Sequence, residues 1–125
     1  MSGEPVLLDS VILIDHFNGH RAASDYLREV EGRAVVSAIT RAEVLAGFDD
    51  PDVEIARILL DRLPLIPIDR DVADVAARLR RDRRWRLPDA IQAAAATHHG
   101  LLLATRNTRD FDPERDGFVV VPYRL

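Results

Sequence analysis

Four acidic residues stand where apolar runs of the sequence end or where helical segments begin: Asp9, Glu43, Asp89 and Asp110. In an open parallel sheet, the loops that follow the strands meet at one edge, and ligands bind there. Carboxylates gathered at such an edge repel one another and take up protons unless a cation lies among them. We therefore predict that these residues, called the four acids below, surround a divalent metal ion.

Each of the four acids also has a structural explanation when it is taken alone. The segment from Thr40 to Glu43 matches a capping box, in which the glutamate bonds back to the start of a helix. Asp89 would be favoured in the first turn of a helix by the helix dipole. Asp9 and Asp110 could be turn residues that bond to nearby backbone amides. Only the gathering of all four at one edge favours a metal site over these explanations.

The side chains available as ligands indicate which metal would bind. The chain has no cysteine, and oxygen-only ligands favour Mg²⁺, with Mn²⁺ as the other candidate, over zinc. His98 and His99 are adjacent, so on a helix they point in different directions and cannot easily share an ion. His98 shares a helical register with Ile91, Ala94 and Ala95, which predicts a histidine buried in the core.

The elements that would position the four acids follow from hydrophobic patterning. Five continuous apolar runs predict strands buried on both faces: Val6–Leu8, Ala34–Val36, Leu65–Ile68, Leu101–Ala104 and Phe118–Val121. Segments of helical period lie between them, with Pro51 and Pro88 near helix starts and Gly32 and Gly100 near helix ends. We predict one α/β domain over residues 1–125, with helices flanking a mainly parallel five-stranded sheet in three layers.

Composition excludes several classes of function. The net charge of -4 argues against a generally basic nucleic-acid binder. All 17 basic residues are arginine, which excludes chemistry that needs a lysine. The absence of cysteine excludes disulfides and suits a reducing compartment. The apolar stretch from Val6 to Ile14 is interrupted by Asp9 and Ser10, so we expect neither a signal peptide nor a membrane span, and a cytoplasmic protein.

Six arginines lie between Arg78 and Arg86, and we call residues 78–86 the arginine segment. It leads directly into Asp89, a position that suits contacts with RNA phosphates. The possible RNA-binding residues are Arg81, Arg84 and Arg86. Arginines at the end of a helix can equally satisfy its carbonyls and dipole, and the sequence favours neither interpretation. Trp85 could stack on an unpaired base, but packing or a protein interface is the preferred interpretation.

Four motifs occur in a fixed order along the chain: Leu7–Ser10 followed by Val11–Asp15, then Ser37–Val44, Leu87–Ala95 and Ala104–Phe111. With these motifs the chain resembles PIN-domain nucleases over nearly its whole length, and in particular the toxins of VapBC toxin–antitoxin pairs. The resemblance implies catalytic roles for the four acids and metal binding by three of them, Asp9, Asp89 and Asp110. The supporting polar groups that it implies are Ser10, Thr105 and Asn107.

Three of these positions need comment. Ser10 stands where the family commonly has threonine, and the substitution keeps the hydroxyl group. Asp15 follows the first motif by almost two helical turns, so we expect it to be solvated or to pair along a helix. Asp112 lies in a predicted loop beside Phe111, and we place it outside the main set of ligands.

The function implied by the resemblance is a metal-dependent endoribonuclease, the toxin of a type II toxin–antitoxin system, which hydrolyses RNA to leave 5′-phosphate and 3′-hydroxyl ends. Its expected partners are RNA, a second copy of the chain and a cognate antitoxin. The antitoxin would lay apolar side chains in a groove between the early helices and direct an arginine at the four acids.

Two alternatives stay open. One is a catalytically inactive PIN-like module that only binds RNA or protein. The other is a magnesium-dependent phosphotransfer domain, which also places an aspartate at the end of a strand. Against the second stand the absence of lysine and the presence of Val11 where a phosphatase would have a second acid.

Overall fold

Helices and strands alternate along the chain, with two helices after each of the first three strands. The structure is a computed structural model that describes residues 3–125. Its strands are Val6–Leu8 (β1), Ala34–Ser37 (β2), Leu65–Ile66 (β3), Leu102–Ala104 (β4) and Val119–Val120 (β5). Its helices are Ser10–Phe17 (α1), Arg21–Glu29 (α2), Ala38–Ala46 (α3), Asp50–Asp61 (α4), Arg70–Arg83 (α5) and Leu87–His98 (α6).

The five strands form one parallel sheet in the order β3-β2-β1-β4-β5. In the centre of this sheet, Val6 pairs with Ala34 on one side and with Leu102 on the other. The chain proceeds outward from β1 to β3 and then returns to start again beside β1 with β4. Such a reversal of strand order opens a crevice at the carboxyl ends of β1 and β4, where open α/β sheets bind ligands. The predicted α/β class is confirmed, and the sheet is parallel throughout.

The sheet separates two apolar cores, which gives three layers. Val6 and Leu8 point to the face covered by the early helices, where they pack with Ile12. Leu7 points to the opposite face and packs with α5, α6 and Phe111. Leu7 and Leu8 are both fully buried, and burying a leucine contributes about 1.5–3 kcal/mol. Burial on both faces explains why the strands are continuous apolar runs.

Proline and glycine mark the ends of several elements as predicted. Pro51 and Pro88 lie in the first turns of α4 and α6. Gly32 and Gly100, with φ of 88° and 67°, follow the ends of α2 and α6. The third strand is shorter than predicted and stops at Ile66, because the next residue is proline, which has no N–H to donate to a sheet.

His98 is a correction to the sequence prediction. It is exposed rather than part of the core. The buried residues of α6 end at Ala96, and the last turn of the helix extends beyond the apolar layer. The predicted inward face of α6 is confirmed by the burial of Ala94 and Ala95, but the buried part of the helix ends before His98. Among residues 3–125, no helix has the length and apolarity needed to cross a bilayer.

Candidate metal centre

Asp9 follows β1 directly and caps the first turn of α1. Its Oδ1 atom accepts hydrogen bonds from the backbone N–H of Ser10 at 2.9 Å and from Gln92 Nε2 at 3.1 Å. Its Oδ2 atom accepts one from the Thr105 hydroxyl at 2.7 Å. Burial raises the pKa of Asp9, while the hydrogen bonds from Thr105, Gln92 and Ser10 oppose that shift. Both oxygens are bonded, so the carboxylate is held in one orientation.

A buried polar network supports Asp9 from behind. Gln92 is 1% exposed, and its side-chain carbonyl accepts a hydrogen bond from the Ser37 hydroxyl at 2.7 Å. The Gln92 amide also donates to the Thr40 hydroxyl, which in turn donates to the backbone carbonyl of Leu8 at 3.1 Å. The network ties β1, α3 and α6 together behind the acid. Because buried polar groups are costly when unpaired, these bonds fix the relative positions of the three elements.

Sequence reasoning gave Gln92 no role. The available signal was a polar residue inside the run Ala90 to Ala96, on a helix whose other inward positions are alanine. Gln92 also lies three residues after Asp89, so both side chains occupy the same face of α6. A long amide at such a position must find partners in the interior, which makes it a candidate for holding a neighbouring site.

Glu43 lies in the second turn of α3. That helix is capped by Ser37, whose hydroxyl accepts a hydrogen bond from the backbone N–H of Thr40 at 3.2 Å. Thr40 is therefore inside the helix, and the capping-box explanation for Glu43 is wrong. Burial and the charge of Asp9 raise the pKa of Glu43, while hydrogen bonding with Ser10 opposes the shift. The Glu43 side chain is not used to cap α3, and it lies at the crevice close to Ser10 and Asp9.

Asp89 lies in the first turn of α6, where the start of the helix has no side-chain cap. Burial, followed by the charge of Asp110, raises the pKa of Asp89 to about 6, with smaller contributions from Asp9, a hydrogen bond with Asp110, and Glu43. Proximity of like charges is the expected cause of such a shift. The side chains of all four acids are thus electrostatically linked.

Asp110 is held in the loop that follows β4. Its Oδ2 atom accepts a hydrogen bond from Asn107 Nδ2 at 2.9 Å. The Asn107 backbone N–H donates to the Thr105 hydroxyl at 3.0 Å, and that hydroxyl donates to Asp9. Thr105 and Asn107, the two supporting residues from this loop, therefore connect Asp9 to Asp110.

A cleft of about 470 Å³ opens above these side chains, and we call it the acid cleft. Its lining residues are Asp9, Ser10, Val11, Glu43, Asp89, Arg106, Asn107, Thr108 and Arg109. Asp110 is not among the lining residues, but its side chain is hydrogen-bonded to that of Asp89, which lines the cleft. Among residues 3–125, no ion pair joins an arginine to any of the four acids. Over the same residues no three potential ligands converge into a ready-made metal shell, as expected of carboxylates that repel one another.

Asp15 is a second correction, because it is neither solvated nor paired along its helix. It is 3% exposed and accepts two hydrogen bonds from Arg106, at 2.7 and 2.8 Å. The Tyr123 hydroxyl donates a third at 2.7 Å. Burial alone would raise the pKa of Asp15, but the bonds from Arg106 and Tyr123 lower it overall. Asp112, by contrast, is exposed and accepts from the Glu114 N–H at 2.9 Å in a turn outside the acid cleft.

Asp116 is a buried acid that sequence reasoning missed. It is 2% exposed and forms ion pairs with Arg83 and with Arg115, the latter at 2.9 Å. Its Oδ2 atom also accepts from the Asp112 N–H at 3.1 Å. Burial opposes ionisation, but the bonds from Arg115 and Arg83 lower the pKa of Asp116 overall. Nothing in the local sequence marks this pairing, because Arg83 is 33 residues away.

Two arginines of the arginine segment contact other parts of the protein. Arg80 donates to the Trp85 carbonyl at 2.7 Å, and Arg83 pairs with Asp116 while lying 4.5 Å from the Trp85 ring centre. These two stabilise the end of α5. The possible RNA-binding residues are exposed, and within residues 3–125 they have no ion pair: Arg81, Arg84 and Arg86. None of them lines the acid cleft.

Trp85 packs inward, as the preferred interpretation predicted. It is 5% exposed and lies 5.1 Å from the Phe111 ring, centre to centre. Its indole N–H donates to the backbone carbonyl of Asp110 at 2.9 Å. Buried tryptophan usually finds such a partner for its N–H. The residue therefore anchors the loop that carries Asp110 and is not available to stack on a base.

Comparison with known proteins agrees with this fold. The model of the PIN domain family matches residues 6–113, while no curated protein matches the chain. A toxin–antitoxin complex from Klebsiella pneumoniae contains a chain with 37% identity and a TM-score of 0.89, and the match covers 96% of this chain and 99% of that one.

Two more distant structures share the fold. FitAcB from Neisseria gonorrhoeae is 22% identical with a TM-score of 0.77, over 96% of this chain and 99% of that one. DNA-bound VapBC from Salmonella typhimurium is 19% identical with a TM-score of 0.76, over 88% and 92%. The family match spans most of the sequence; the chain belongs to the PIN domain family.

Proposed function

We propose that this protein is a metal-dependent endoribonuclease and the toxin of a type II toxin–antitoxin system. The observation that carries the proposal is the arrangement of the four acids, which influence one another electrostatically beside the point where the strand order reverses and have no arginine partner among residues 3–125. Membership of the PIN domain family and 37% identity to a chain of a toxin–antitoxin complex support the same conclusion.

The donor set fits a hard divalent cation. Asp9, Asp89 and Asp110 would hold Mg²⁺, or Mn²⁺ in its place, and Glu43 would lie beside them. Burial and the charges of the neighbouring acids raise the pKa of Asp89 in the free protein, and a cation bound among these carboxylates would offset their repulsion. When bound, a divalent ion lowers the pKa of a water molecule and neutralises charge that builds on the phosphate during hydrolysis.

The residues around the site fix the orientation of one ligand, Asp9, and set the protonation state of another, Asp89. Asp9 is fixed by Ser10, Gln92 and Thr105, so it needs little rearrangement to act as a ligand. Asp89 has a pKa of about 6, so its carboxyl group must lose a proton before it can bind a cation. Acidic pH should therefore oppose activity through this residue.

The direct test is cleavage of single-stranded RNA by the purified protein. Chelator should abolish cleavage and added Mg²⁺ or Mn²⁺ should restore it, with 5′-phosphate and 3′-hydroxyl ends on the products. Asp112→Asn is a matched control, because this acid is exposed and lies outside the acid cleft. Full cleavage in excess chelator would overturn the metal dependence. RNA binding without cleavage at any metal concentration would favour the inactive binding module.

An apolar groove supports the proposal of a cognate antitoxin. It has a volume of about 470 Å³ and lies between α1, α2 and α4. The leucines that line it are Leu13, Leu27, Leu59 and Leu63. An inhibitory segment that folds on this groove could place an arginine at the four acids, where a guanidinium would stand in for the cation.

Expression in a bacterial host tests the toxin assignment. The protein alone should arrest growth, and coexpression of its cognate antitoxin should relieve the arrest. In the purified complex, Mg²⁺ and the antitoxin should compete for the acid cleft. A complex that keeps full ribonuclease activity would contradict inhibition by occlusion.

We also propose a homodimer within the toxin–antitoxin complex. Two isoleucines of α4, Ile55 and Ile58, are each 62% exposed and lie on the same side of the helix. Large apolar side chains in such pairs are typical of protein interfaces. Sedimentation of the purified protein should show a dimer, and Ile58→Asp should shift it to a monomer. A monomeric wild-type protein at micromolar concentration would contradict the proposal.

A further inference from the structure

Arg106 forms an ion pair with the buried Asp15 and also lines the acid cleft. It belongs to the loop after β4, its side chain is 33% exposed, and it lines the cleft. Its Nε and Nη2 atoms both donate to Asp15, whose carboxylate is also held by the Tyr123 hydroxyl. Arg106 and Tyr123, from two distant parts of the chain, thus converge on the carboxylate of Asp15.

The geometry leaves one side of that group available. A two-pronged bond through Nε and Nη2 fixes the plane of the guanidinium and commits one edge to Asp15. Among the hydrogen bonds of residues 3–125, none uses Nη1 of Arg106. The donors that remain are therefore held at a defined position in a side chain that lines the cleft.

The negative charge of the acid cleft indicates what the remaining Arg106 donors would bind. A cleft that contains Asp9, Glu43 and Asp89 repels the phosphates of an RNA chain, so cations are needed along its wall. Arg106 and Arg109 are the two arginines that line it, and neither pairs with the four acids within residues 3–125. The exposed arginines of the arginine segment do not line the cleft, so they cannot replace Arg106 there.

We propose that Arg106 binds a backbone phosphate of the RNA next to the cleavage site and that Asp15 and Tyr123 are positioning residues for its guanidinium. This inference rests on the proposed ribonuclease function. It assigns to the buried Asp15 pair a part in substrate binding, besides its part in joining α1 to the loop after β4. Arginine suits this task better than lysine, because only its planar fork can bind a carboxylate on one edge and a phosphate on another.

The test must separate phosphate binding from loss of structure. Removing Arg106 alone leaves Asp15 charged and buried, which can unfold the protein. The double variant Asp15→Asn/Arg106→Gln removes both charges, keeps the size of residue 15 and leaves a shorter polar side chain at residue 106. Arg57→Gln is the matched control, because Arg57 is an arginine of an ion pair on α4, which contributes nothing to the acid cleft.

Steady-state cleavage of a short single-stranded RNA is measured for the wild type, the double variant, Tyr123→Phe and the control. The double variant should raise KM roughly tenfold, the effect of losing one charge-assisted hydrogen bond, with a smaller effect on kcat. The salt dependence of its RNA affinity should flatten by about 0.7 in slope, the value for one phosphate contact on a single strand. Tyr123→Phe should raise KM by a few-fold, since it only loosens Asp15.

Each outcome decides between the two roles. A folded double variant with wild-type KM and salt slope overturns the proposal and leaves the ion pair purely structural, while the ribonuclease function stands. An equal rise of KM in Arg57→Gln would mean that the effect is general charge, which also overturns it. If the wild type itself cleaves no RNA in the presence of metal, the proposed function fails first, independently of Arg106.

Discussion

The molecule contains buried and half-buried carboxylates of two kinds, and they differ in what lies next to them. Asp15 and Asp116 each meet arginine, and both have a lowered pKa. Asp9 and Asp89, in the acid cleft, meet amide, hydroxyl and other carboxyl groups, and both have a raised pKa. Burial works against ionisation at all four positions, so the partner decides the direction of the shift.

The comparison shows how one side-chain type serves two purposes in the same fold. Where arginine neutralises the acid, the pair ties distant segments together and stabilises the folded chain. Where arginine is kept away, repulsion between the acids is retained in the free protein and is relieved only when a cation binds. A protein gains nothing in stability from the second arrangement, and such arrangements are typical of functional sites.

The largest expected effect comes from neutralising an acid of the cleft. Asp89→Asn should lower the rate of RNA cleavage by on the order of a thousandfold, because a ligand that contributes several kcal/mol to transition-state stabilisation is lost. The metal-free variant should be as stable as the wild type or slightly more stable, because repulsion is relieved. Cleavage assays and thermal melts check both halves. A clearly lower melting temperature would place Asp89 among the structural acids instead.

The same substitution at a paired acid should do the opposite. Asp116→Asn should lower the free energy of unfolding by about 2 kcal/mol, since Arg83 and Arg115 lose a charged partner. Cleavage by the folded fraction should stay near the wild-type rate. Denaturant unfolding measures the first effect and an assay below the melting transition the second. If stability is unchanged, the ion pairs of Asp116 contribute nothing and the comparison weakens.

The two kinds of acid should give stability opposite pH dependences. Asp89 has a pKa of about 6 in the folded protein against 3.8 as its ordinary value, so its contribution is present at low pH and is lost as pH rises through about 6. For Asp15 and Asp116, whose pKa values are lowered, the contribution is present above the ordinary value and is lost as pH falls below it.

Metal-free wild type should therefore lose about 1 kcal/mol of stability relative to Asp89→Asn between about pH 4 and pH 7, after allowance for solvent screening at a half-exposed group. Thermal melts of both proteins across this range, in chelator, make the comparison. Adding Mg²⁺ at pH 7 should remove the difference by stabilising the wild type alone. Parallel pH curves for the two proteins would contradict the raised pKa of Asp89.

The smallest expected effect concerns the exposed arginines near the cleft. If Arg81 and Arg84 neutralise phosphates, replacing both with alanine should weaken RNA binding a few-fold and flatten its salt dependence by about 0.7 per lost contact. Because neither residue lines the acid cleft, kcat should be unchanged. Binding titrations at several salt concentrations measure the slope. If the salt dependence of RNA affinity is unchanged, the arginine segment only stabilises the end of α5.

Features that depend on neighbouring residues could be predicted from the sequence, whereas contacts between residues far apart in the chain could not. Continuous apolar runs such as Val6–Leu8 predicted strands correctly, because burial on both faces acts on consecutive residues. The positions of two of the four acids were predicted correctly, because Asp9 follows a strand and Asp89 starts a helix. The bond from Gln92 to Asp9 could not be predicted, because the two residues are 83 positions apart and only the folded sheet brings them together.

Asp15 illustrates the limit more sharply. From sequence it has the pattern of an exposed helix position, and its partners are 91 and 108 residues away. No local signal distinguishes an acid that will meet an arginine from one that will face water. The exposure of His98 was missed for a related reason, since periodicity predicts which side of a helix faces inward but not where the apolar layer ends.

The position of Trp85 has an experimental consequence. It is the only tryptophan in the chain, and its indole N–H is bonded to the backbone of Asp110 beside the rings of Phe111. Its fluorescence therefore comes from one known place, directly under the loop that carries a candidate metal ligand. Events that shift this loop should change the emission of the unmodified protein, which provides an optical signal for metal or antitoxin binding without any attached dye.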